Sequence, residues 1–184
     1  MAAIKINRAP VLTLWTVIVA RRAGLSDNKA LSVGRAVAGL TAQSKGRRLG
    51  LYKQSPASET ERIRRLREDL DTRSLEFMHC SIPIVRQGNQ IRALSKAKPI
   101  QPDSVRRYLD SRFGEHLATF EARLTALAKA LPVEELLAQA MDVYTKFRPI
   151  VPAGVDGWGK KALFDTKTVA ALMPPSKYTP DCER

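Results

Sequence analysis

The most apolar stretch of the chain is APVLTLWTVIVA, twelve residues over 9–20. Within it Val11, Leu14, Trp15, Ile18 and Val19 recur at helical spacing, Pro10 suits a first turn and Gly24 suits a stop, so the pattern predicts a buried helix. A twelve-residue helix spans about 18 Å, well short of the roughly 30 Å hydrocarbon core of a bilayer. Arg21-Arg22 follow at once, with no small-x-small cleavage site, which argues against a signal peptide. A second helix is expected from Ser26 as N-cap, beginning at Asp27 and ending near Ser44, because Lys45 and Arg48 would rotate into its apolar face. Ala30, Gly34, Ala38 and Ala42 recur every four residues, which lets a neighbouring backbone approach closely. The opposite face is read as Ser32, Arg35, Gly39 and Gln43, and SKGRRLG over 44–50 as a basic turn.

Beyond a short polar linker the pattern changes. Ser58 and Glu61 have the spacing of a capping box, predicting a third helix with Ile63, Leu66 and Leu70 as its buried stripe. IPIVRQGNQIRAL over 82–94 reads as a hairpin turning at Gly88-Asn89, with Pro83 pointing to an edge strand. Pro102 opens a helix that Gly114 stops. Leu117, Phe120, Leu124, Leu127 and Leu131 mark the next helix. Leu136, Leu137, Ala140, Tyr144 and Phe147 mark the inward face of another after Pro132. A Pro/Gly-rich stretch leads to a last short helix near 166–173. The expected fold is α+β and mostly α: N-terminal helices plus a β-hairpin in winged-helix-like order, then a C-terminal helical lobe. The expected division is a basic part over 1–110, a helical lobe over 111–173 and a flexible tail over 174–184.

Charge changes this picture. Over all 184 residues the formal net charge is +13, and residues 1–110 carry +12 of it, from 21 basic and 9 acidic side chains. Residues 1–53 hold ten Lys/Arg against Asp27 alone. Such a field attracts polyanions, because each phosphate neutralised by a cation releases condensed counterions. The uncompensated candidates for phosphate contact are Lys29, Arg35, Lys45, Arg47 and Arg48, with Arg35 and Gln43 able to reach base edges. Arg86, Arg92, Lys96 and Lys98 join them from the hairpin and its exit. The arginine-rich third helix is discounted. Its five arginines over 58–73 meet five acids, and Glu61–Arg65 and Arg64–Glu68 stand at i,i+4, the pattern of a solvated, salt-bridged helix.

Catalytic chemistry finds little material. His79, His116, Cys80 and Cys182 supply neither a metal set nor a nucleophile–base pair, since adjacent His79 and Cys80 on an extended segment face opposite ways. Residues 154–161 fit G-x-x-x-x-G-K but place Lys161 where a P-loop needs Ser or Thr for Mg²⁺. Glu134-Glu135 suit a helix N-terminus. No enzyme, cofactor or metal is expected.

The segments INRAPVLTLW (6–15), GRAVAG (34–39) and FRP.VPAG..GWG.K (147–161) resemble an uncharacterised family of small basic bacterial proteins. The resemblance implies a bacterial globular protein and attaches no activity to it. The composite expectation is a cytoplasmic, non-enzymatic nucleic-acid-binding protein, nucleoid-associated if its ligand is DNA, with duplex DNA favoured. Aromatics are 6% of the chain and do not interleave the basic residues as a stacking platform for single strands would require. The rival is an adaptor that docks on an acidic protein, and the C-terminal lobe is left for a homodimer or protein contact.

Overall fold

The computed structural model describes residues 3–50, 56–153 and 162–173. It is a mostly α, α+β fold built around one helix, α1 (Arg8–Arg22), in which every residue from Pro10 to Ala20 is buried. A helix apolar on all sides needs cover on all sides. Helix α2 (Asp27–Arg48) lies along it, and α4 (Pro102–Phe113), α5 (Leu117–Ala130) and α6 (Val133–Phe147) complete the cover. Even the Trp15 indole is satisfied there, donating from Nε1 to the Ala140 carbonyl at 2.8 Å while its ring meets Phe147 edge-on at 5.3 Å.

The α1–α2 junction is a Schellman turn. The Gly24 N–H donates to the Arg21 carbonyl and the Leu25 N–H to Ala20, with Gly24 at φ +87°. The small-residue stripe then does what its spacing predicts. A Cβ built on Gly34 would lie 2.5 Å from Val17 Cγ2 and 2.8 Å from the Thr13 carbonyl oxygen, so only glycine fits there. Ala30 and Ala38 are buried on the same stripe, whereas Ala42 is exposed.

Four antiparallel strands form a sheet in the order β2 (Arg73–Phe77), β3 (Cys80–Gln87), β4 (Gln90–Ser95), β5 (Lys98–Pro99). The expected hairpin is its β3–β4 pair, turning at Gly88-Asn89 with Gly88 at φ +59°. A small second sheet joins β1 (Ala3–Lys5) to β6 (Leu163–Asp165), followed by α7 (Thr166–Ala170). The N-terminal strand is thereby tied to the far end of the chain. Arg8 adds a second tie, donating to the Pro149 carbonyl at 3.0 Å. One continuous hydrophobic cluster runs from Ile6 to Val169, across residue 110, which lies inside α4.

Several local expectations are corrected. Ser32 lies on a buried face, where its Oγ accepts the Ala93 amide at 3.1 Å; α2 is covered by the sheet as well as by α1. Helix α2 does not end near Ser44 but runs to Arg48, because Gly46 is its only buried residue beyond Ala38 and its last turns need no apolar face. Ser58 is not a capping residue: α3 (Ala57–Asp69) starts one residue earlier, with Pro56 at its N-cap and no side-chain cap bond. The Ile63–Leu66–Leu70 stripe is not a core stripe. Helix α3 buries no residue, and Leu66 is 42% exposed.

Pro83 sits in a central strand rather than an edge strand. It pairs with Ser74 on the β2 side, but the β3–β4 ladder stops one residue short of it at Ile84–Ala93, so its missing N–H costs no ladder bond to β4. Leu137 is exposed, at 36%, while Leu136 takes the core position. His79 belongs to a tight turn, not an extended segment: Met78 and His79 link β2 to β3 at φ +49° and +60°. The last helix stops at Ala170. The P-loop-like segment 154–161 and the tail 174–184 lie outside the described residues. No helix among the described residues is long and apolar enough to cross a membrane.

Candidate functional site

The outer face of α2 turns away from α1 and, with α3 and the sheet, encloses a cleft of about 920 Å³. Arg35, Gly39, Gln43 and Arg47, four apart on α2, form one wall. Thr60, Ile63, Arg64 and Arg67 of α3 form the other, while Arg73 and Lys96 stand on the sheet side. Six cations therefore line the cleft, against one carboxylate, Glu68. Its floor is apolar, with Ala36, Leu94 and Ile100 buried and Leu40 and Pro83 partly so.

The cations are not equivalent. Arg64 is engaged by Glu61 at 2.7 Å and Glu68 at 2.5 Å, and these carboxylates, Glu61 first, raise its guanidinium above the usual arginine range. Both expected i,i+4 pairs are present, Arg65 reaching Glu61 at 3.1 Å. Arg67 donates to the Lys96 carbonyl at 2.7 Å, and Lys96 Nζ reaches Glu59 at 3.2 Å. Those two contacts fasten α3 to the β4–β5 turn, where Lys96 takes φ +57°. Arg35 lies over the Tyr108 ring, 4.3 Å from its centroid, in cation–π geometry that fixes where its charge sits. Burial pushes the Tyr108 phenol up, and Arg35 and Arg112 pull it partly back. Among the described residues Arg35, Arg47 and Arg73 have no carboxylate partner.

Of the residues expected from sequence to contact nucleic acid, Arg35, Gln43, Arg47 and Lys96 line this cleft. The others do not. Because α2 stays helical through Arg48, Lys45 and Arg47 point about 200° apart around its axis. Lys45 sits instead with Arg8, Arg148 and Arg48; burial first, and then those three cations, lower its ammonium from the usual lysine range. Arg48 is exposed beside it, and Lys29 is half-buried in the first turn of α2. Arg92 is taken up by amide oxygens, Gln87 at 3.0 Å and Gln90 at 3.1 Å among them, and its buried Nε has no partner. Arg86 and Lys98 are exposed on the sheet, outside the cleft.

Arg64, Arg67 and Arg73 are the lining cations that sequence reasoning passed over, because the charge count of 58–73 sums to zero. Counting around the helix instead of along it is the signal that finds two of them. Thr60, Ile63, Arg64 and Arg67 share one face. The Cys80 thiol is raised by burial, although Thr41 bonds it, and it stands outside the cleft. Among the described residues no group of three or more His, Cys, Asp or Glu could hold a metal ion. Comparison with protein-family models, curated proteins and solved structures returns no match.

Proposed function

We propose that the chain is a non-enzymatic nucleic-acid-binding protein, acting in the cytoplasm and favouring duplex DNA, that lays the phosphate backbone along the rim of the cationic cleft. The observation that carries this reading is the imbalance of the lining, six cations to one carboxylate, with Arg35, Arg47 and Arg73 uncommitted to any acid among the described residues. From residue 35 to residue 47 the α2 wall runs about 18 Å, long enough to follow several phosphates of one strand. Rigid placement of Arg35 on Tyr108 lowers the entropy lost when it binds.

The test is fluorescence anisotropy of a labelled duplex across a salt series. The combined variant Arg35→Gln/Arg47→Gln/Arg73→Gln is expected to weaken binding and to flatten the log K against log[salt] slope by nearly one unit for each phosphate no longer neutralised. Arg62→Gln/Arg65→Gln, outside the cleft, is expected to change it little. A protein that leaves duplex unshifted at low salt overturns the reading and promotes the rival, an adaptor for an acidic protein.

A further inference from the structure

A duplex backbone resting on the rim uses the cations and leaves the floor of the cleft unexplained. That floor is apolar, made by Ala36, Leu94 and Ile100. Hydroxyls from Thr60, Thr72, Ser74, Ser81 and Ser95 also line the cleft. Ser74 and Ser81 are hydrogen-bonded to each other at 2.6 Å, across the β2–β3 pair. The Thr72 Oγ1 is buried at the cleft and has no hydrogen-bond partner. A buried hydroxyl without a partner costs stability, which a ligand can relieve. The cleft volume, about 920 Å³, falls within the range of small-molecule sites.

Three chemistries thus share one cavity: an apolar floor, hydroxyls and guanidinium groups. A flat, weakly polar body with hydrogen-bonding edges and an anionic end matches all three. A bare anion would use only the rim, and a fatty acyl chain would leave the hydroxyls unused. We propose that the cleft seats one nucleoside phosphate unit, its base against the Ala36–Leu94–Ile100 floor and its phosphate on Arg35, Arg47 and Arg73. The same chemistry is presented by a free nucleotide and by an unpaired nucleotide within a strand. The proposal rests on the reading of this cleft as a phosphate site, but not on duplex binding.

Gly39 supplies the test. It lies on the cleft wall in the interior of α2, and a Cβ added there meets nothing within 4 Å. Gly39→Phe therefore fills the space over the floor while leaving every rim cation in place, and it replaces a poor helix former, so the variant is expected to fold. Isothermal titration of the full chain at low salt with ATP, AMP and pyrophosphate, and anisotropy with a short single-stranded oligonucleotide and with duplex, separate the possibilities. The expected result is that ATP and AMP bind and that Gly39→Phe weakens them by about tenfold or more through steric exclusion. Thr72→Val, which removes only the unpartnered hydroxyl, should weaken them by roughly fivefold, the value of one missing hydrogen bond.

The salt slope of duplex binding is expected to change by less than one unit in Gly39→Phe, since no cation is removed. Parallel loss of the single-stranded oligonucleotide assigns the unit to a strand, whereas loss of ATP and AMP alone assigns it to a free nucleotide. Pyrophosphate binding as tightly as ATP, or nucleotide binding unchanged in Gly39→Phe, overturns the proposal, as does absence of binding by both nucleotide and single strand. None of those results touches the duplex reading, which its own titration decides.

Discussion

Gly34 and Gly39 stand five residues apart on α2 and face opposite worlds. At Gly34 the helix meets α1 so closely that one added carbon collides with the Thr13 carbonyl and the Val17 side chain. At Gly39 the same carbon would touch nothing. One side of α2 is packed as tightly as backbone allows. The other is a wall over open space, faced by a helix that buries none of its residues. The difference teaches how the molecule divides its labour. Burial around α1 supplies the stability, so the cleft side can carry Arg35, Arg47 and Arg73 without a carboxylate partner among the described residues.

The largest expected effect tests the packed side. Phe120 is fully buried in α5, stacked on Phe164 at 4.5 Å and tilted against Phe113 at 5.8 Å. Phe120→Ala should cost about 3–5 kcal/mol in urea denaturation, the sum of lost transfer energy and an unfilled cavity. Leu66→Ala on α3 should stay within about 0.5 kcal/mol, as for an exposed site. A Leu66 variant that loses as much as the Phe120 variant would show α3 to be packed and would end the comparison.

The two glycines sharpen it. Gly34→Ala forces overpacking against backbone that cannot swing aside, and a loss of about 1–3 kcal/mol is expected. Gly39→Ala should gain about 0.5–1 kcal/mol, because alanine has less conformational freedom to lose and meets no obstacle. Opposite signs of the change in thermal midpoint, measured side by side, are the check.

These contrasts also mark how much the order of residues discloses by itself. The apolar run at 9–20, the four-residue stripe on α2, the Gly88-Asn89 hairpin and the ion pairs of α3 are all legible, because each is a local or helical regularity. The β2–β3 turn is not. Its central residues are Met78 and His79, both at positive φ, where the turn type favours Asn-Gly. Met78 is buried at 5% exposure among the core residues, so tertiary packing holds a turn that local preference would not choose. The cleft is half legible for a related reason. Net charge along 58–73 cancels, yet Arg67 spends its bond on a carbonyl 29 residues away rather than on a nearby acid. Which face of α3 turns to the cleft depends on its long-range contacts with Lys96 at the β4–β5 turn, and no periodicity encodes that.

Polar fastening on the packed side predicts a pH effect smaller than either packing effect. Asp27, at the start of α2, accepts from Arg21 at the end of α1 and from Arg106 of α4. Burial raises its carboxyl, but the hydrogen bonds from Arg106 and Arg21 outweigh that and hold it below its ordinary value of 3.8. A lowered folded value means the contribution is complete above the ordinary carboxylate range and is lost as pH falls through the folded value. Both partners are well exposed, so the stabilisation is expected to stay below about 1 kcal/mol. Asp27→Asn should lower the denaturation midpoint slightly at neutral pH and show no difference from the parent at the acid end of the series. A deficit that persists unchanged below about pH 3 would mean that the ion pairs are not its source.

The smallest expected effect lies at the start of α3, where the loosely held side begins. Ser58 has the spacing to Glu61 that a capping box requires, and in such a box Ser→Ala costs about 1 kcal/mol, because an orphan helix amide loses its acceptor. In the structure the helix begins at Ala57, so Ser58 is already its second residue. Glu61 is meanwhile occupied with Arg64 and Arg65. The Glu59 and Thr60 amides are served by the Pro56 carbonyl, at 3.0 and 3.1 Å. Ser58→Ala therefore removes no hydrogen bond and puts a better helix former in a helical position, a change expected within a few tenths of a kcal/mol and of stabilising sign. Denaturant midpoints of the two proteins, read by circular dichroism, decide it. A loss near 1 kcal/mol would place the cap at Ser58 and show α3 to be fixed by its own local signal, rather than by the Arg67–Lys96–Glu59 contacts to the sheet.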